Sequence, residues 1–321
     1  MTDQPEPDIF QDQARMLANR VLKRYKHLYK RFARKNIHIF RLYDNDIPEI
    51  RAAVDWYAGH AVIAEYTRSR SIRGWLPAMG AAVAQALDIG PEKIHLKERQ
   101  AGFQDGKRYE RFGHSNEKLV MNERDLKFLI NLDDFVDTGL FSDHRNTRQM
   151  VRDLSGGRDF LNLFCYTGSF TCYAAKGGAR STVSVDRSDT AIQWTRENLA
   201  INGIPETDNT LIRAHIQDFL EKAKKKNQSF DLAVVDPPSF STSKSKGDHF
   251  DIVRDHPALL QQVLEIMRPG SAIFFSTNHQ NFTPKFKSLT VTRITEITSS
   301  TIPEDYASKI KSIHRCWKII V

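Results

Sequence analysis

A chain of 321 residues, 40% apolar and 27% charged, suffices for one large domain or two modest ones, and its balance excludes collagen-like and wholly disordered proteins. Ten Lys or Arg and no acid fall between Arg15 and Arg41, a block larger than the net charge of +8, so the rest of the chain is slightly acidic. Such a concentrated block points to a polyanionic partner, nucleic acid before a membrane surface. No apolar run approaches membrane-spanning length, and the first residues are acidic where a secretory leader is basic. Cys165, Cys172 and Cys316 form no C-x-x-C pair, which speaks against a disulfide framework or a cysteine-rich zinc site and for a cytoplasmic protein.

Residues 10–35 have the spacing of an amphipathic helix. Met16, Leu22, Tyr25, Tyr29 and Phe32 make its apolar stripe, with Arg20, Lys23, Arg24, Lys26, Lys30 and Arg31 between them. The stripe reads as packing. The basic flank is either a solvated face or an RNA-binding face, and its lack of acids favours RNA; the apolar arc is weak for a membrane-surface helix. The basic helix (1–36) is expected to lead into a small α+β unit (37–140) that meets RNA or substrate. Its strands are predicted at 37–43, 60–66, 93–98 and 128–132, with a helix near 76–88. The Gly- and charge-rich stretch 99–118 reads as an exposed loop or hairpin.

From residue 160 onward the pattern becomes strand then helix. Strands are predicted at 160–166, 182–186, 210–215, 230–236 and 271–277, with helices at 169–176, 190–201, 217–226 and 251–267. This alternation means an α/β domain (141–321) with a Rossmann-like, mostly parallel sheet covered on both faces. Two β-rich runs, 290–298 and 313–321, are expected to close one edge as an antiparallel pair. Ligands of such sheets sit beyond the carboxyl ends of the strands.

At those ends lie the informative residues. Tyr166-Thr167-Gly168-Ser169 follows the first strand, and Gly168 permits a sharp turn into a helix. The dinucleotide fingerprint G-x-G-x-x-G fails, because Phe170 and Tyr173 fill its second and third glycine positions. One glycine suits a cofactor without phosphates, such as S-adenosylmethionine. Asp186, beside Arg187, ends the second strand, where an acid accepts from ribose hydroxyls or caps the next helix. Asp218 follows the third strand, where it either accepts from an adenine amino group, with Phe219 packed on the ring, or caps a helix. The most informative run is Asp236-Pro237-Pro238-Ser239-Phe240 after the fourth strand. Two prolines there stiffen the backbone and leave carbonyls facing a ligand, and an aromatic ring stands ready to stack on a base.

With these motifs the chain resembles class I S-adenosylmethionine-dependent RNA methyltransferases, and among them the guanine-N7 half of the bifunctional bacterial 23S rRNA methyltransferase. The similarity runs through the basic helix, Arg41-Leu42-Tyr43-Asp44, Asp143-His144-Arg145, the 164–169 loop, Asp236–Phe240, Arg254-Asp255-His256 and Ile313-His314-Arg315-Cys316-Trp317. The resemblance implies methyl transfer to guanine N7 in 23S rRNA or a large-subunit assembly intermediate, without metal. It implies a cofactor site lined by residues 166–169, Asp186, Asp218 and Asp236, with Arg145 pairing with the methionine carboxylate. The catalytic set is then Asp236, Pro237, Pro238 and Phe240. The bifunctional protein carries a separate guanine-N2 half that these 321 residues do not match, and Ser276-Thr277-Asn278-His279 matches the family only in part. A cytosine-C5 methylase on the same scaffold needs a cysteine nucleophile, and Thr277-Asn278 stands where its thiol would be. An exocyclic-amine methylase and an inactive ribosome-assembly factor are the remaining rival functions.

Overall fold

The computed structural model describes residues 7–67, 72–100, 113–241, 250–307 and 312–321. Chain contacts separate two units, Met1–Asp125 with Ile130–Thr138, and Leu126–Leu129 with Gly139–Val321. The basic helix α1 (Pro7–Arg34) belongs to the first unit. It is followed by β1 (Ile39–Asp44), β2 (Ala52–Tyr57), β3 (His60–Thr67), α2 (Trp75–Leu87), β4 (Ile94–Gln100) and β5 (Leu119–Glu123), and β6 (Leu126–Ile130) falls at the boundary. The sheet order is β1-β2-β3-β4, antiparallel except between β3 and β4.

Helix α1 buries Ala14, Leu17, Val21, Leu28 and Phe32 against Phe40, Leu42, Val54, Trp56 and the α2 residues Leu76, Met79 and Val83. The expected stripe is therefore corrected. Of its members only Phe32 is fully buried, and Met16 and Tyr29 are exposed. Two apolar arcs overlap on this helix, and the largely aliphatic one meets both the sheet and α2. Strand β2 escapes the sequence pattern because Asp55 interrupts it. In the sheet Arg41 Nε donates to Asp55 Oδ1 at 2.8 Å, so the acid is met across the strands. Of the predicted loop at 99–118, residues 101–112 lie outside the described residues.

In the second unit the helices and strands alternate. They are α3 (Arg145–Leu154), β7 (Asp159–Leu163), α4 (Ser169–Lys176), β8 (Ser181–Asp186), α5 (Asp189–Ile201), β9 (Asn209–Arg213), α6 (Ile216–Lys225) and β10 (Phe230–Val235). A short pair, β11 (Phe240–Ser241) and β12 (Phe250–Asp251), precedes α7 (Ile252–Leu264), β13 (Met267–Thr277), β14 (Arg293–Glu296), α8 (Thr298–Thr301) and β15 (Arg315–Ile320). The sheet order is β14-β15-β13-β10-β7-β8-β9. Five strands run parallel, and β15 pairs antiparallel with both β13 and β14, as the late β-rich runs predict.

Alternating side chains serve the two faces. Leu161, Leu163, Ala233, Val235, Ile273 and Phe275 join the α6 and α7 core. Phe160, Leu232, Val234, Ala272 and Phe274 pack with Val151 of α3 and with Phe170 and Ala174 of α4 on the other side. The winding reverses between β7 and β10, which opens a crevice at their carboxyl ends. Among the described residues no helix is long and apolar enough to cross a membrane.

Candidate active site

The turn from β7 into α4 has left-handed backbone at every second residue: Phe164 at φ 58°, Tyr166 at φ 51° and Gly168 at φ 73°. For the two non-glycine residues this costs about 1–3 kcal/mol each and persists only where the surroundings impose it. Here they do. The Tyr166 N–H donates to Asp186 Oδ2 at 3.1 Å, and Thr195 Oγ1 donates to the Tyr166 carbonyl at 3.0 Å. Asn198 Nδ2 donates to the Thr167 carbonyl at 2.8 Å, and Thr167 Oγ1 to the Gly139 carbonyl at 2.6 Å. A Cβ at position 168 would overlap Thr195, so the close approach of α5 requires the glycine. Gly168 is also the cap residue of α4 and supplies no side-chain acceptor, so the first N–H groups of the helix, from Ser169 on, have no side-chain cap.

Asp186 is buried at the end of β8, and its Oδ1 accepts the Ser188 N–H at 2.9 Å. It thereby ties the β7–α4 turn to the β8–α5 turn. The cap of α5 is Ser188, whose hydroxyl accepts from the Ala191 N–H, so Asp186 is not the cap. Arg187 is exposed beside it. Asp218 lies exposed in the first turn of α6, whose cap residue is His215, so the capping alternative is not realised there either. Phe219 corrects an expectation. Its ring is buried in the core with Leu161, Val183 and Val185, where an apolar side chain gains most, so it is not an open platform for an adenine ring.

Beyond β10, Ser276 Oγ donates to Asp236 Oδ1 at 2.7 Å, and Ser239 Oγ donates to Asn278 Oδ1 at 2.7 Å. The Asp236-Pro237-Pro238 turn is thus pinned to the end of β13. Pro237 is buried and Pro238 half-buried. The Phe240 backbone pairs with Asp251, and its side chain lies outside the described residues.

Sequence reasoning missed what stands behind Asp236. His144 Nε2 lies 3.8 Å from Asp236 Oδ2 and 3.8 Å from Asp143 Oδ2. Its ring stacks on His314 with centroids 4.0 Å apart and planes 8° from parallel. His314 contacts Asp143 Oδ2 at 2.9 Å and Thr301 Oγ1 at 3.0 Å. Burial above all, and then the neighbouring His314, push the His144 pKa down to about 4, so this imidazole is neutral at pH 7. Asp143, His144 and His314 bring ligand-type atoms within 4.8 Å of one another. An imidazole binds an ion in its own ring plane, and two nearly parallel stacked planes do not meet at a shared ion. The pair packs behind Asp236 and does not have the geometry of a shared metal site. The two histidines are 170 positions apart in the chain, and no spacing links them; the only sequence signal is that each lies in a family-like run.

Arg145 is also corrected. It is buried, with Nη1 donating to Asp305 Oδ1 at 3.0 Å and Nη2 to Asp305 Oδ2 at 3.4 Å, and Asp305 is itself buried. A carboxylate of the chain already takes the bidentate place expected for a ligand carboxylate. All three cysteines are free and buried. Burial raises each thiol, that of Cys172 to about 12, which removes the thiolate a covalent mechanism needs.

On the first unit, Lys23, Lys26, Lys30 and Arg31 of α1 are exposed, and Arg24 is half-buried. Asp46 accepts from Arg20 Nε at 2.6 Å.

Residues 65–301 match the family of S-adenosylmethionine-dependent methyltransferases. The ribosomal RNA large subunit methyltransferase K of Neisseria meningitidis serogroup B is 40% identical over 309 residues, covering 94% of this chain and 86% of its own length. The ribosomal RNA large subunit methyltransferase K/L of Pseudomonas putida is 41% identical over 98% of this chain, which spans 43% of that longer protein. A crystallised protein described as a methyltransferase and complexed with SAH has the same fold. Its TM-score is 0.77 at 22% identity, covering 96% of this chain and 82% of the other.

Proposed function

This chain belongs to the S-adenosylmethionine-dependent methyltransferase family, and from that premise we propose that it methylates large-subunit ribosomal RNA at N7 of a guanine. The residues present suit the cofactor. Asp186, Asp218 and Asp236 make the carboxyl ends of the strands acidic, which matches a diol, an amino group and a sulfonium cation and repels a pyrophosphate. The uncapped start of α4 replaces Arg145 as a place for the methionine carboxylate. When bound, S-adenosylmethionine supplies a methyl group on a positively charged sulfur.

The observation that carries the N7 reading is the chemistry around Asp236. Its carboxylate is held by Ser276, the adjoining imidazole is neutral, and every thiol is buried in its protonated form. Guanine N7 has an in-plane lone pair and no proton, so its attack needs neither a general base nor a covalent adduct. The work left to the protein is placement. Asp236 accepts from an N–H on the Watson–Crick edge of guanine, which leaves N7 on the other edge, while Pro237, Pro238 and Phe240 wall and stack the base. Lys23, Lys26, Lys30 and Arg31, with Arg20 and Arg24 behind them, supply the sequence-independent attraction to rRNA or an assembly intermediate.

The test is to treat rRNA from a strain lacking this gene with the purified protein and S-adenosylmethionine, then analyse its nucleosides by mass spectrometry. N7-methylguanosine, with strand scission after reduction and aniline treatment, is the expected result. N2-methylguanosine or N6-methyladenosine would move the assignment to an exocyclic-amine methylase, and 5-methylcytidine to the cysteine-dependent chemistry. No methylation of any RNA form would leave an assembly factor.

A further inference from the structure

On α1 the structure leaves one large aromatic side chain partly in water. Tyr29 is 43% exposed, yet its ring is not adrift. It stacks on Tyr25 with centroids 4.8 Å apart and planes at 29°, and it meets the edge of Trp56 at 6.5 Å and 89°. Tyr25 in turn rests against Trp56 at 4.8 Å, and Trp56 is buried in strand β2. The sheet therefore backs a three-ring stack whose outermost ring faces solvent. Lys26 and Lys30, three positions before and one after Tyr29, are exposed on the same helix, and no acid falls between Arg15 and Arg41.

An exposed aromatic ring costs a helix surface solubility, and packing does not need it, since Leu17, Val21, Leu28 and Phe32 already hold α1 in place. We propose that Tyr29, backed by Tyr25 and Trp56, is a stacking platform for an unpaired base of the RNA substrate. This rests on the reading of α1 as an RNA-binding surface and narrows it from sequence-independent phosphate attraction to contact with a single-stranded segment. The physical grounds are complementary. Every base has a π-face, so stacking tolerates any sequence, and flanking cations hold the backbone that carries the base. A base paired inside a duplex has both faces covered and gains nothing from such a ring. A membrane surface would use the same cations, but it would reward a broad aliphatic face, and the aliphatic face of α1 is buried.

The experiment uses the whole protein with a short mixed-sequence RNA single strand and a blunt duplex of the same length, at fixed salt. Tyr29→Ala should weaken the single strand by about 5- to 140-fold, the value of one base stack, and leave the duplex unchanged. Tyr29→Phe should retain the affinity, and Tyr29→Leu, apolar but without a π-face, should lose it. The salt dependence of wild type and Tyr29→Ala should be parallel, because no cation changes. Trp56 and Tyr fluorescence should be quenched by the single strand in wild type. Equal loss on single strand and duplex, or full affinity in Tyr29→Leu, would overturn the platform while leaving α1 an electrostatic RNA surface. A wild-type affinity that ignores salt would overturn that surface too. Tighter binding to phosphatidylglycerol vesicles than to RNA, lost in Tyr29→Ala, would assign the ring to a membrane instead.

Discussion

The turn between β7 and α4 and the outer face of α1 hold their functional groups in opposite ways. The turn is locked by four hydrogen bonds of 2.6–3.1 Å and carries backbone strain at Phe164 and Tyr166. The α1 face presents long cationic side chains in water, with Arg20 held by Asp46. Selecting and aiming a small cofactor requires sub-ångström placement, so strain is tolerated and offset by interlocking. Attracting a polyanion requires only charge within a Debye length, so mobile side chains suffice. Substitutions should accordingly be costly at the first region and mild at the second.

The largest effect is expected beside the rigid region, at the buried Arg145–Asp305 pair. Asp305→Asn takes a buried carboxylate away from the buried Arg145 guanidinium and should cost about 3–5 kcal/mol in urea denaturation. If Arg145 served a ligand carboxylate, the same variant would instead keep its stability and bind cofactor more tightly. Gly168→Ala should cost about 2–4 kcal/mol, from left-handed backbone and overlap with Thr195. Adding Thr195→Ser, which removes the overlapping methyl, should recover part of that loss; an unchanged melting temperature in Gly168→Ala would show that the turn is not locked. Asp186→Asn keeps the shape and removes the charge, so calorimetry should show cofactor binding weaker by roughly 1–3 kcal/mol.

Acid should also act through His144, behind Asp236. The folded-state pKa of His144 lies near 4, below the ordinary imidazole value, so the unfolded chain binds more protons between those values. Stability should fall as pH drops from about 6.5 towards 4, and His144→Asn should flatten that slope. On the exposed face of α1, Lys23, Lys26 and Lys30 changed together to Gln should leave stability within about 0.5 kcal/mol. The slope of log affinity against log salt should shrink by roughly 0.7–0.9 for each phosphate that the variant no longer neutralises. A folded protein with an unchanged slope would make α1 a solvated face.

Much of the second unit was legible because parallel strands buried on both faces announce themselves as apolar runs. The helix at 169–176 and the antiparallel closing edge followed from that rhythm alone. The first unit was harder. Strand β2 hides behind Asp55, which its cross-strand partner Arg41 meets, and β5 is short, with Asn122 and Glu123 at its end. The α1 stripe was misplaced by about one residue because two apolar arcs overlap and only the packing partners choose between them.

The sequence by itself determined the parallel α/β scaffold, the positions of Gly168, Asp186 and Asp236 at strand ends, and the basic character of α1. These are local matters: periodicity, turn chemistry and charge along the chain. Pairing across long separations was decided only in three dimensions. Arg145 met Asp305 and His144 met His314 because the fold brought together side chains whose spacing carries no signal. A buried charge or imidazole must find a partner, and which partner it finds depends on packing rather than on any neighbour in sequence.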